Sequence, residues 1–183
     1  MDFEIKINEK LSLKLRNKSD AEESFDAVDK NREELRRWLP WVDATVSAQD
    51  TEKYIVLCRE KFEKKETADF GIVYEGKLAG SVGFNTIDLK NEWAEIGYWL
   101  ATSHQGRGIM TDCVRAMINY GFNELHLHRI RIKCDSSNIK SKAIPERLGF
   151  KLEGIIRESR KHNGEFSDGL IYGLLDKEWN GSV

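Results

Sequence analysis

The stretch EIGYWLATSHQGRGIMTDCV, residues 95–114, constrains this chain more than any other. An apolar strand pattern runs into a loop, Gln105-Gly106-Arg107-Gly108, and the loop runs directly into an amphipathic helix pattern. The first N–H groups of a helix are unpaired and lie at the positive end of its dipole. Gly106 and Gly108 permit backbone angles and a close approach that other residues forbid. Such a junction is suited to hold a phosphate group, the alternative being a loop that only turns the chain. Two other phosphate motifs are excluded. A dinucleotide fingerprint needs a glycine where this chain has Thr111, and no P-loop Gly-Lys-Ser/Thr follows.

The flanks describe a mixed sheet with helices. Period-two alternation over 11–17 predicts a strand, and Ser19-Asp20 caps a helix carried by Phe25, Val28, Leu35 and Trp38 until Pro40. A second helix opens near Asp50-Thr51 and runs through Tyr54, Ile55, Cys58 and Phe62. Strands are predicted at 69–76, 78–87 and 93–100, with turns at Glu75-Gly76-Lys77 and Lys90-Asn91-Glu92. A helix over 109–122, a strand at 128–134, a short helix ending at Leu148-Gly149-Phe150, and strands at 151–158 and 166–175 complete the chain. Gly149 stands at a natural helix C-cap position. The order β-α-α-β-β-β-α-β-α-β-β gives a central mixed sheet flanked by helices, in one domain over 1–183. A helix between 93–100 and 128–134 fits a right-handed crossover joining parallel neighbours.

Composition narrows the function classes. The net charge of −2 suggests neither nucleic acid nor an anionic membrane as partner. No apolar run approaches the ~20 residues of a membrane span, and the start lacks a secretory pattern, so a cytoplasmic setting is expected. The three cysteines have no CxxC or Cys/His spacing. Cys58, Cys113 and Cys134 each continue an apolar series and read as small core hydrophobes, with no metal site expected. His126 and His128 bracket a helix-to-strand turn with no partner carboxylate at a telling spacing, His104 precedes the Gly loop and His162 lies in the polar turn RKHNGEF, so none is expected to act as the base. Arg129, Arg131 and Lys133 alternate on one strand face, the pattern of a solvated surface.

The loop and its surroundings resemble the GNAT superfamily of N-acetyltransferases, whose Q/R-x-x-G-x-G/A signature is matched by Gln105 and Gly108, with Met110 departing from the last position. WAEIGYWL before the loop, LHLHRIRIKCDSSNIKS after it and LGFKLEGIIRES beyond are spaced as in the RimJ/RimL branch, and the likeness covers nearly the whole chain. The resemblance implies a largely antiparallel mixed sheet whose middle strands, 93–100 and 128–134, splay apart to admit the pantetheine arm of acetyl-coenzyme A. It implies that main chain near Tyr98, Leu100 and Ala101 pairs with pantetheine. The N–H groups of Gln105, Gly106, Arg107, Gly108, Ile109 and Met110 would hold the pyrophosphate, with a hydroxyl contact from Thr111. Asn138 is implied near the pantetheine and Ser141 near the thioester sulfur, although both residue types also simply favour helix starts. Pro145, four residues after Ser141, deprives the Ser141 carbonyl of its helical donor and is expected to kink the helix. The segment Trp38-Leu39-Pro40-Trp41 would plug a helix end beside the acceptor cleft.

Aminolysis of a thioester requires the amine to lose a proton and the departing sulfur to be stabilised. An α-amine with pKa near 7.8 is roughly one-seventh neutral at pH 7, whereas a lysine near 10.4 is neutral below about one part in a thousand. Glu95, in WAEIGYWL, is the candidate proton acceptor, the alternative being a surface carboxylate. Ser141 is the candidate hydrogen-bond donor to the sulfur. The resemblance implies direct transfer to the N-terminal α-amine of a protein, a ribosomal protein among them, by a homodimer. A small amine (polyamine, amino acid or aminoglycoside) and a non-catalytic acyl-CoA-binding module are the competing readings.

Overall fold

Leu11, Leu13 and Leu15 are fully buried while Ser12 and Lys14 are not, which is the period-two signature of a strand with one face on the core. The computed structural model describes residues 3–181 apart from Asn163, and the side chain of His162 is outside the described set. The strands are β1 (Glu4–Lys6), β2 (Leu11–Leu15), β3 (Ala68–Tyr74), β4 (Lys77–Asp88), β5 (Trp93–Leu100), β6 (Arg129–Asp135), β7 (Lys151–His162) and β8 (Glu165–Leu175). The helices are α1 (Ala21–Asp29), α2 (Arg32–Leu35), α3 (Ala48–Glu63), α4 (Ile109–Asn119) and α5 (Ile139–Arg147). One mixed sheet has the order β1-β2-β3-β4-β5-β6-β8-β7. Its β5–β6 pair is parallel, joined through α4 as the crossover rule requires, and the other described pairs are antiparallel.

The helices sort onto two faces. α4 buries Ile109, Met110, Cys113, Val114, Met117 and Ile118, the i, i+4 stripe that the sequence displays. It packs these on Val82, Phe84, Ala94, Ile96 and Ile132 of the sheet. Each large side chain so buried contributes about 1.5–3 kcal/mol. A smaller cluster on the other side joins Val28, Leu35 and Val42 to Leu39 and Trp99.

Four expectations are corrected. The three residues of β1 were not expected as a strand; they pair with Lys14, Leu13 and Ser12 of β2. The helix expected from Ser19 to Pro40 is broken between α1 and α2, because Asn31 turns its side chain to other partners. Its Nδ2 donates to the Ala27 carbonyl at 2.8 Å, and its Oδ1 accepts from both the amide and the hydroxyl of Thr102 at 2.9 Å. The helix expected to reach Phe122 ends at Asn119 and closes with a π-type turn, Leu125 N–H to the Tyr120 carbonyl at 3.2 Å. β7 extends four residues beyond its expected end at Glu158, as far as His162. Gly149 has φ +79° and ends α5 as expected. The Phe150 amide donates to the Pro145 carbonyl and the Gly149 amide to that of Glu146, the paired bonds of a Schellman ending.

Candidate active site

The parallel pairing of β5 and β6 runs from Trp93↔Arg129 to Ile96↔Ile132 and stops. β5 nevertheless stays with β4 as far as Leu100↔Gly80, and β6 stays with β8 as far as Asp135↔Gly169. The two middle strands therefore diverge, and among the described residues one edge of Gly97–Leu100 has no strand partner. On its other side, β4 carries a bulge at Asn85, between Phe84↔Ile96 and Thr86↔Glu95. Bulges of this kind bend a strand and re-aim side chains beside active sites. A groove of about 1260 Å³ runs along the divergence.

The Gly loop forms one end of that groove. Gly106 and Gly108 have φ of +75° and +80°, and a Cβ on either would meet no atom within 4 Å. Glycine is thus demanded by the left-handed conformation, while the space in front of the loop is left open. The helical ladder of α4 begins with the Asp112 N–H on the Gly108 carbonyl at 3.1 Å, so the amides of Ile109, Met110 and Thr111 precede it. Met110 sends its side chain into the core, 8 % exposed, and does not crowd the loop. Gln105 ties the loop down at both ends of its amide. Its Nε2 donates to the Leu100 carbonyl at 3.1 Å, and its Oε1 accepts Lys140 Nζ at 2.7 Å. The open cradle, its helix amides and the neighbouring cations fit a pyrophosphate.

Of the residues expected at the site, all but Ala101 and Arg107 line the groove. Ala101 uses both main-chain groups within the protein: its amide donates to the Ala79 carbonyl at 2.8 Å, and its carbonyl accepts from His104 at 2.9 Å. Arg107, within the loop, is exposed. Asn138 caps α5, accepting the Ser141 amide at 3.1 Å. Glu95 extends from β5 to a pair of cations on β6, Arg131 Nε at 2.7 Å and Lys133 Nζ at 3.1 Å, both on Oε2. The register that places Glu95 opposite Arg131 brings these two half-exposed cations onto its carboxylate, and of the two Lys133 lines the groove. Arg131 also lies 3.9 Å from the centre of the Trp93 ring, and Arg129 alone turns away, to Glu153.

Two contributors were not legible in the sequence. The hydroxyl of Tyr98 reaches Ser141, where only the main chain of Tyr98 was expected to matter. Arg147 donates from Nη1 to Thr111 Oγ1 at 2.9 Å, bringing a guanidinium to the start of α4. The spacing of Lys140 and Arg147, two helical turns apart on α5, was the available signal. Cys134 is also on the groove wall, buried, and burial pushes its thiol up to about 11. Among the described residues, no cluster of His, Cys, Asp and Glu is arranged to hold a metal ion.

The sequence matches the family described as "Acetyltransferase (GNAT) domain" over residues 10–151, a span that contains the splayed strands, the Gly loop and Ser141. The chain belongs to the GNAT acetyltransferases. Among its relatives, "Putative ribosomal N-acetyltransferase YdaF" of Bacillus subtilis (strain 168) is 36% identical, with 98% of each chain covered. The ribosomal-protein-serine acetyltransferase of Escherichia coli (strain K12) is 32% identical, covering 93% of this chain and 96% of that one. The crystal structure of RimL, a ribosomal L7/L12 alpha-N-protein acetyltransferase in complex with coenzyme A, superposes with a TM-score of 0.92 at 28% identity, covering 96% of this chain and 99% of that one. This GNAT domain is therefore an acetyl-coenzyme A-dependent N-acetyltransferase of the RimJ/RimL branch, and its fold is the expected mixed sheet with splayed middle strands.

Proposed function

We propose that this GNAT enzyme acetylates the N-terminal α-amine of a protein, with a ribosomal protein as the leading acceptor. The observation that carries this reading is the mouth of the groove on the Trp99 side. Trp41 and Tyr54 line it yet stay 41 % and 51 % exposed, so the acceptor side opens broadly to solvent, as a polypeptide end requires. Two relatives named for ribosomal-protein acetylation support the same acceptor class.

The chemistry assigned to the site is direct transfer. The amine nitrogen attacks the thioester carbonyl, the C–S bond breaks, and the nitrogen's proton passes to Glu95 through water. Ser141 donates a hydrogen bond to the departing sulfur. An α-amine is already partly neutral near pH 7, so a carboxylate held by Arg131 and Lys133 meets the modest demand. The reading includes a cytoplasmic homodimer. Leu152, Ile155 and Ile156, exposed on the edge strand β7, offer an apolar surface for a second copy.

The test is competition for acetyl-CoA between a lysine-free peptide with a free N-terminus and the same peptide N-blocked with one internal lysine. The free N-terminus is expected to be acetylated faster. Faster reaction of the blocked lysine peptide, or turnover of spermidine or a free amino acid with neither peptide used, would transfer the function to another amine class.

A further inference from the structure

Pro145 occupies the position whose amide would close the helical hydrogen bond on the Ser141 carbonyl, and proline carries no N–H. α5 nevertheless continues through Pro145 to Arg147. The missing donor is supplied from another element, because the Tyr98 hydroxyl, on β5, donates to the Ser141 carbonyl at 2.9 Å. The Ser141 hydroxyl in turn donates to the Tyr98 oxygen at 3.3 Å. With the Ser141 amide held by Asn138, each polar group of Ser141 has a partner. The two contacts differ in quality. The first has ordinary O–H···O length, while the second exceeds the usual 2.7–2.8 Å and is easily exchanged for a better acceptor.

We infer that Tyr98 is a positioning residue for acetyl transfer: its hydroxyl replaces the amide that Pro145 lacks and so fixes the Ser141 hydroxyl at the gap between β5 and β6. This rests on the reading that Ser141 donates to the departing sulfur. In the resting site the Ser141 proton lies on Tyr98. When negative charge develops on sulfur, the hydroxyl rotates to it, and the bond from Tyr98 to the carbonyl keeps the backbone of Ser141 in place. Tyr98 itself surrenders no proton. Burial raises its phenol above the ordinary value of 10, which keeps it a donor across the working pH range. A purely structural role, stapling α5 to the sheet, would predict effects on stability or cofactor binding without a selective effect on turnover.

Three variants separate these possibilities. Tyr98→Phe keeps the ring and removes the donor, and kcat is expected to fall about tenfold with KM for acetyl-CoA changed less than about twofold. Adding Pro145→Ala restores a backbone donor on Ser141, and the double variant is expected to recover most of the lost kcat. Adding Tyr98→Phe to Ser141→Ala is expected to cost little beyond Ser141→Ala alone, since both act through one hydroxyl. Wild-type kcat in Ser141→Ala would remove the role of Ser141 and with it the basis of the inference. A slow Ser141→Ala enzyme together with wild-type kcat in Tyr98→Phe, a loss confined to KM, or no recovery with Pro145→Ala would leave Ser141 in place and overturn the assignment of Tyr98.

Discussion

Glu95 and Ser141 address the gap between β5 and β6 from opposite faces of the sheet. Tyr98, whose hydroxyl meets Ser141, packs with Ile96 and Leu100 on the α4 face. Glu95 is an odd number of residues away on the same strand and therefore points to the other face, the one on which Trp99 packs against Val28, Leu35 and Val42. A thioester lying in the gap would meet the incoming amine from the Glu95 side and present its sulfur to the Ser141 side. This arrangement suits one-step transfer without a covalent enzyme intermediate.

The two residues are then separable by pH. Glu95→Gln preserves size and removes the proposed proton acceptor, and kcat is expected to fall at least about tenfold. The loss should deepen below the amine pKa of about 7.8, where more of the substrate must be deprotonated on the enzyme. Ser141→Ala should lower the rate by a similar factor at every pH between about 6 and 9, because a hydroxyl does not titrate there. Profiles of kcat against pH for both variants check this. Parallel profiles for the two variants would show that Glu95 is not the base.

Gly108 caps α4 with φ +80° and ψ −13° in open space, so the first penalty of replacing it is conformational. Gly108→Ala is expected to destabilise the fold by about 1–2 kcal/mol, and Gly108→Asn, which tolerates the left-handed region, by less. Gly108→Val adds bulk in front of the loop and should also weaken acetyl-CoA binding by about 1–3 kcal/mol. Thermal melts with and without acetyl-CoA measure both effects. Equal affinity in a folded Gly108→Val protein would place the pyrophosphate elsewhere.

Arg147 brings its guanidinium to the first turn of α4 through the buried hydroxyl of Thr111. A phosphate held by the loop gains a cation there. Arg147→Gln is expected to weaken acetyl-CoA binding about three- to tenfold, a modest effect because the side chain is largely exposed. The difference from wild type should shrink as salt is raised. Calorimetric titration at low and high ionic strength tests it, and an unchanged affinity at low salt would restrict Arg147 to packing α5 on α4.

The strand–loop–helix core of the site was legible because its signals are local. Alternation defined β5, Gly106 and Gly108 defined the loop, and the apolar stripe from Ile109 to Ile118 defined α4. Contacts that depend on register or on side chains meeting across the fold were not. Arg131 and Lys133 do lie on a partly solvated face, as expected, but their joint grip on Glu95 depends on the pairing that sets Arg131 opposite it. The same limit hid the compensation at Pro145, since Tyr98 stands 43 residues from Ser141. Asn31 broke a helix through bonds to Ala27 and Thr102 that no helical periodicity reveals.

The cysteines allow a check on the groove itself. Cys58, Cys113 and Cys134 are free and buried. Burial comes first among the causes that push the thiols of Cys58 and Cys134 up, to about 12 and about 11. At pH 8, a thiol titrating near 11 is thiolate to about one part in a thousand, against roughly a quarter for an unperturbed cysteine. Because the thiolate is the nucleophile, alkylation of the native protein by iodoacetamide is expected to be at least about a hundredfold slower than alkylation of the denatured chain. Below the shifted value, each unit of pH should raise the native rate about tenfold. Of the three, Cys134 alone is on the groove wall, so it should label first, and saturating coenzyme A should suppress that labelling while leaving Cys58 and Cys113 unaffected. Peptide mapping by mass spectrometry distinguishes the sites. Rapid labelling of Cys134 at pH 8 that coenzyme A does not slow would contradict both the burial of this thiol and the path of the cofactor between β5 and β6.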